Sequence, residues 1–275
     1  MKIYRLLGLA ALALPLSLQA NPEAERKVFQ DYYIKKFSSV DYQDFGNGAY
    51  ALDEVARANW EAIEEFPPYE IVLEDGQQLF ETPFKNGKTY ADCFPNGGIG
   101  IKQNYPYFDA ASAQVRTLEQ DINACREKNA EKPYKWKKGK LAAIGAYMAY
   151  TSRGNKINVM IPDDPKALAA YEAGKKFFYS KRGQLNFACA DCHIGSSGSR
   201  IRSEVLSTAL GQVSHFPVYR AKWGEMGTLH RRYAGCNKQV RAKPFKPQSE
   251  QYRNLEYFHT YMSNGIEING PGARK

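Results

Sequence analysis

Residues 189–193 read Cys-Ala-Asp-Cys-His, and no other stretch restricts the fold of this chain as much. Two thiols three positions apart, followed at once by an imidazole, form the C-x-x-C-H pattern of covalent haem attachment. The thiols add to the two vinyl groups, and the next side chain swings under the iron. With five Cys and four His in 275 residues, chance gives this pattern in roughly one such chain in a thousand. The plainer readings are a redox C-x-x-C and half of a zinc site. A zinc site needs a second ligand pair at finger-like spacing, and a thioredoxin-type site needs a βαβ setting. Neither is evident, so Cys189, Cys192 and His193 are expected to hold one haem c.

The beginning of the chain fits that expectation. Met1-Lys2-Ile3-Tyr4-Arg5 is a short basic segment, Leu6 to Leu18 is apolar but too short to span a bilayer, and Ala20 closes it with a small residue. This is the pattern of a secretory signal over residues 1–20. No later apolar run is long enough for a membrane span. Export and c-type haem together point to a periplasm, an oxidising compartment where disulfides form. The formal charge of +9 falls to +7 once Lys2 and Arg5 leave with the signal. Such an excess suits anionic partners or substrates, and export argues against nucleic acid. Beyond the two haem cysteines stand Cys93, Cys125 and Cys236, an odd number, which leaves one without an internal partner.

An internal repeat sets the expected architecture. Leu73 to Phe80 parallels Tyr171 to Phe178, sharing Glu, Gly and Phe, and Tyr90-Ala91-Asp92-Cys93-Phe94 parallels the haem motif. Tyr105-Pro106, the stretch Thr117 to Cys125 and the stretch Ser152 to Asn158 recur 111 positions later as Phe216-Pro217, Thr228 to Cys236 and Ser263 to Asn269. Order and offset kept together indicate duplication. The expected fold is all-α: two tandem cytochrome c-like domains, the first without haem because Tyr90 and Phe94 stand where the motif needs Cys and His. Residues 21–160 would hold an N-terminal extension, up to residue 66, and the haem-less domain; residues 161–275 would hold the haem domain. Asp164 and Pro165 should cap a helix running up to the motif, and Leu255, Phe258, His259 and Met262 should line a closing helix that stops by Gly265.

By the same correspondence Cys236 occupies in the second copy the place of Cys125 in the first. With no haem between them, Cys93 and Cys125 are expected to form a disulfide, and Cys236 should lie near the iron as the odd thiol. Met226 and His230 compete with it as second axial ligand. Met262 and His259 sit at core spacing, and His215 is also available. From Arg220 to Lys246 eight basic residues face a single acid, Glu225. A basic run is usually a solvated face, but this one flanks the thiol. Arg232 stands one helical turn before Cys236, where a planar guanidinium suits an oxyanion.

The stretch His230 to Val240, together with Pro247-Gln248-Ser249, Tyr252 to Phe258 and the ending Ser263-Asn264-Gly265…Gly270-Pro271-Gly272, closely resembles the SoxA family, the larger subunits of the SoxAX cytochromes of bacterial thiosulfate oxidation. The resemblance covers both copies of the repeat. It implies His193 and Cys236 as axial ligands, the cysteine often carried as a persulfide, and Arg232 as the active-site, substrate-binding arginine. It also implies oxidative conjugation of thiosulfate to a cysteine of a SoxYZ-like carrier (L-cysteine S-thiosulfotransferase activity), with Cys236 and Arg232 catalytic and a small SoxX-like cytochrome as partner in a heterodimer. Some members carry a second haem in the first domain; this chain resembles the single-haem members. The rival expectation is a periplasmic electron carrier in which Met226 or His230 ligates iron and Cys236 is incidental.

Overall fold

A computed structural model describes residues 21–275; the signal expected over residues 1–20 lies outside the described residues. The chain opens with helices α1 (Pro22–Lys36), α2 (Glu54–Glu64) and α3 (Glu70–Glu81). A hairpin of β1 (Tyr107–Asp109) and β2 (Gln114–Arg116) leads into α4 (Leu118–Lys128) and α5 (Lys140–Tyr150). Next come α6 (Pro165–Tyr179), the short strands β3 (Arg200–Ile201) and β4 (Glu204–Val205), and β5 (Val218–Arg220) with β6 (Glu225–Gly227). The chain closes with α7 (Leu229–Gln239), α8 (Glu250–Tyr261) and β7 (Gly272–Arg274). Among the described residues no helix is long and apolar enough to cross a membrane.

Local chemistry explains the helix starts. Asp164 accepts hydrogen bonds from the Lys166 and Ala167 amides at 2.6 and 3.3 Å, and Pro165 occupies the first turn of α6. Thr117 and Gln120 form a reciprocal capping box on α4. Helix α8 runs to Tyr261 with Met262 as its cap, and Gly265 follows at φ +91°. Helices dominate as expected, but the two- and three-residue ribbons depart from a purely helical fold. Strands so short carry no readable alternation.

Two helix crossings organise the interior. A Cβ on Gly76 of α3 would lie 2.1 Å from the Ala143 carbonyl oxygen of α5, and one on Gly174 of α6 would lie 2.0 Å from the Asn254 oxygen of α8. Only glycine lets backbone meet backbone this closely. The elements after each first helix recur at one spacing: β1, β2 and α4 reappear 111 residues later as β5, β6 and α7.

The centres differ. In the first half Phe80, Phe84, Tyr90, Phe94, Ile122, Ile144 and Met148 fill the interior, Tyr90 stacking on Phe80 at 5.8 Å. A disulfide joins Cys93 to Cys125, with Cα atoms 5.8 Å apart. The second half packs Tyr171, Phe178, Leu255, Phe258 and Met262 against α1 through Phe29 and Tyr33. The extension thus covers the second half: Gln30 donates to the Met262 and Asn264 carbonyls, and Glu25 accepts from Tyr171 and Lys175.

Between the halves lies a buried polar cluster. His230 Nε2 sits 2.9 Å from Glu256 Oε2, while its Nδ1 accepts the Gln248 amide at 3.0 Å. Burial would raise the Glu256 carboxyl, but the His230 partner holds it below the usual carboxylate range. Glu119, buried beside it, is pushed up by burial and by Glu256.

Two stability predictions follow from these contacts. Replacing Cys93 and Cys125 by serine removes a link across 32 residues and is expected to cost about 2–4 kcal/mol. An unchanged denaturant midpoint would show that the aromatic cluster alone holds the first half. His259 is buried, donates from Nε2 to the Ala209 carbonyl at 3.0 Å and faces the Tyr233 hydroxyl at 3.1 Å; burial drives its pKa down to about 4. The unfolded chain therefore takes up this proton first, so the contribution is complete above pH ~6.5 and lost as pH falls towards 4, roughly 3 kcal/mol in all. Stability of His259→Gln, followed by denaturant melts between pH 4 and 7, should fall less steeply with acid than that of the parent.

Candidate functional site

The motif is presented by a turn that its own residues shape. After α6 ends, Arg182 and Phe187 pair as an isolated bridge, and Asp191 accepts the Ala188 amide at 2.8 Å. A single wide turn over Asp191–Gly195 then carries Cys192 and His193. Three contacts fix this turn. His193 Nδ1 lies 3.0 Å from the Ser207 carbonyl oxygen, to which it donates. The His193 carbonyl accepts from the Tyr33 hydroxyl at 2.6 Å and from the Ala209 amide at 3.1 Å. With its proton committed at Nδ1, the ring offers a bare Nε2 to a metal.

Cys236 lies opposite, on α7. Its thiol faces the His193 ring, and Arg232, four positions earlier, turns its charge on the same sulfur. Burial pushes the Cys236 thiol up, but Arg232, the His193 ring and Arg220 together outweigh burial and hold it at about 7. Cys189 and Cys192 behave differently: burial lifts Cys189 to about 12 and also raises Cys192, and neither is bridged. The structure therefore brings together Cys189, Cys192, His193, Cys236 and Arg232, and separates Cys93 and Cys125 into the disulfide of the other half.

The competing ligands are engaged elsewhere. Met226 is buried with Tyr69, Ala142, Ala146 and Ala273. His230 is taken up by Glu256 and Gln248, and His259 by Ala209 and Tyr233. Met262 belongs to the core beneath α1, and His215 is buried against Phe216. Among the described residues no group of three or more His, Cys, Asp or Glu side chains is placed to hold a metal ion by itself. Two unbridged thiols at C-x-x-C spacing and an imidazole with a bare nitrogen are what covalent haem attachment requires, and the facing Cys236 sulfur adds a further donor. The residues fit that group.

Comparison with known proteins decides the family. Over 272 residues the chain is 57% identical to the L-cysteine S-thiosulfotransferase subunit SoxA of Allochromatium vinosum, covering 98% of this chain and 96% of that one. The protein belongs to the SoxA family. The SoxA of Chlorobaculum tepidum is 55% identical over 263 residues, covering 94% of this chain and 90% of its own. A family model described as SoxA/TsdA, cytochrome c domain, matches residues 75–157. The crystal structure of SoxXA from P. pantotrophus superposes with a TM-score of 0.72 at 28% identity, covering 79% of this chain and 84% of that one. Membership of the SoxA family makes this chain a c-type cytochrome and an enzyme subunit, and the electron-carrier reading gives way to it.

Two contributors to this site escape sequence reasoning. Tyr33 belongs to the extension, outside the repeat, yet binds the turn that holds His193. Arg220 stands in the basic run as one cation among eight, and nothing in its spacing singles it out as a neighbour of Cys236. A repeat alignment points only faintly at it, since the first copy has Asp109 in its place.

Proposed function

We propose that this chain is the haem-carrying subunit of a periplasmic L-cysteine S-thiosulfotransferase, joining thiosulfate to a cysteine of a SoxYZ-like carrier and working as a heterodimer with a SoxX-like small cytochrome. The observation that carries this reading is the Cys236 sulfur on which both the His193 ring and the Arg232 guanidinium act. Residues 21–160 form the extension and a haem-less cytochrome c-like domain, and residues 161–275 the domain with the single haem c. The 111-residue recurrence of elements, the disulfide in the first half and the match of the cytochrome c family model to residues 75–157 all support this division.

Cys189 and Cys192 would hold the haem covalently, and His193 and Cys236 would ligate its iron. When bound, the haem supplies a one-electron acceptor, so the small partner cytochrome provides the second. The protein's own residues do the rest. Arg232 binds and orients the thiosulfate dianion, its planar fork matching two sulfonate oxygens. Cys236 presents its sulfur to the outer sulfur of the substrate, and the carrier thiolate takes the group by exchange. In sum a carrier thiol and thiosulfate give carrier-S–S–SO₃⁻, one proton and two electrons, forming one S–S bond.

The haem-loaded complex tests this directly. Cys236→Ala leaves both thioether positions in place and should keep its haem, while thiosulfate-dependent modification of the carrier falls by roughly 100-fold or more. Undiminished turnover would end the transferase reading. A mass spectrum of the intact exported chain should show loss of the leader, one haem and two hydrogens fewer for the disulfide; a second haem would contradict the haem-less first domain.

A further inference from the structure

More positive charge surrounds the site than a single arginine grip requires. Arg220 ends β5, where the parallel register pairs it with Arg274 of β7 and the antiparallel register with Glu225 of β6. In-register neighbours on adjacent strands project to the same face of a sheet, so the two guanidiniums leave it side by side. Arg274 is steadied by aromatic rings, 5.0 Å from the centre of Tyr50 and 5.2 Å from that of Trp60. A Cβ on Gly272 would lie 3.1 Å from Arg274 Nη1 and 3.7 Å from His215 Cβ, so this arginine and His215 flank the same glycine.

No acid among the described residues approaches these cations closely enough to form an ion pair. Glu225, the strand partner of Arg220, gives its carboxylate to Lys138 at 3.0 Å and Arg231 at 3.1 Å. Among the described residues Arg220, Arg232 and Arg274 form no ion pair with a carboxylate. Glu204 acts on Arg220 and Glu64 on Arg274 without pairing to them. Two buried polar atoms here also lack partners, Nη2 of Arg274 and Nδ1 of His215. Burial and the charges of Arg274, Arg220 and Arg232 keep His215 neutral, and burial with Arg232 brings Arg220 down to about 10. Half-buried guanidiniums gathered with no carboxylate in ion-pair contact are costly until an anion joins them.

We propose that Arg220 is a second oxyanion-binding residue, closing on the sulfonate end of the substrate from the strand side while Arg232 holds it from the helix side, with Arg274 as a positioning residue behind it. This rests on the reading that the site handles thiosulfate. The cluster's chemistry is that of a dianion receptor, which the carboxylates of the porphyrin could also satisfy, and the two occupants separate in experiment.

The test uses the haem-loaded complex with its small cytochrome and carrier, carrying Arg220→Gln or Arg220→Lys. Steady-state kinetics give KM and kcat for thiosulfate, calorimetry gives the affinity for sulfate as an unreactive oxyanion, and a redox titration gives the haem midpoint potential. Arg220→Gln should raise KM roughly 10- to 100-fold and weaken sulfate binding in proportion, with kcat changed far less; because Arg220 also acts on the Cys236 sulfur, any shift in potential should accompany the KM change and not replace it. Arg220→Lys, which keeps the charge but not the fork, should recover part of the loss and stands in should the glutamine variant misfold. Unchanged KM and sulfate affinity would overturn the proposal, as would a shifted potential with KM unmoved, which would assign the cluster to the porphyrin carboxylates. Should the parent complex itself fail to modify the carrier with thiosulfate, the functional reading falls together with this inference; parent turnover indifferent to Arg220 removes the inference alone.

Discussion

The hydrogen bond from His193 Nδ1 to the Ser207 carbonyl sets the terms for the rest of the site. An imidazole has two nitrogens and, when neutral, one proton, so committing that proton to a backbone oxygen leaves the other nitrogen free for a metal. A backbone acceptor is harder to lose than a side-chain one, because no substitution at residue 207 removes the carbonyl itself. The turn is then clamped from its other side by Tyr33 and the Ala209 amide on the His193 carbonyl. Everything that faces this ring, Cys236 first, inherits its position from that arrangement.

Cys236 and Arg232 ride on α7, and the first half of the chain fixes where α7 begins. Thr228, at its N-terminus, donates its hydroxyl to the Trp136 carbonyl at 3.1 Å and its amide to the Lys137 carbonyl at 3.1 Å. Lys138 reaches Glu225 on the adjoining strand, and Thr117 donates to Gln248 at 2.9 Å. The half without the C-x-x-C-H motif is therefore a buttress for the half that has it. Its interior of packed aromatics and a disulfide supplies a stiff support.

How much of this could be read from the residues follows their range. The C-x-x-C-H turn, the Asp164-Pro165 start of α6 and the 111-residue recurrence are local patterns or comparisons of local patterns, and the elements stand where those patterns place them. Contacts between residues far apart in the chain left no trace. Tyr33 meets His193 across 160 positions, and Arg274 joins Arg220 through a parallel strand only three residues long, too short for alternation to show. His230 was a fair contender for the metal on proximity to Cys236, but a carboxylate 26 positions away claims its Nε2. Burial and partner, not spacing, decide the fate of a histidine.

The five cysteines place opposite redox demands on one polypeptide. Cys93 and Cys125 are oxidised to a bridge, whereas Cys189, Cys192 and Cys236 stand unbridged. A mixture of free thiols in an oxidising solution has many wrong pairings open to it, and Cys189 lies close enough to Cys236 for their charges to interact. Order along the chain resolves the conflict. The two residues to be joined lie in the half that emerges first, within 32 positions of each other, and can close before the later three appear. Sequential emergence would thus separate in time two chemistries that the finished molecule keeps in different halves.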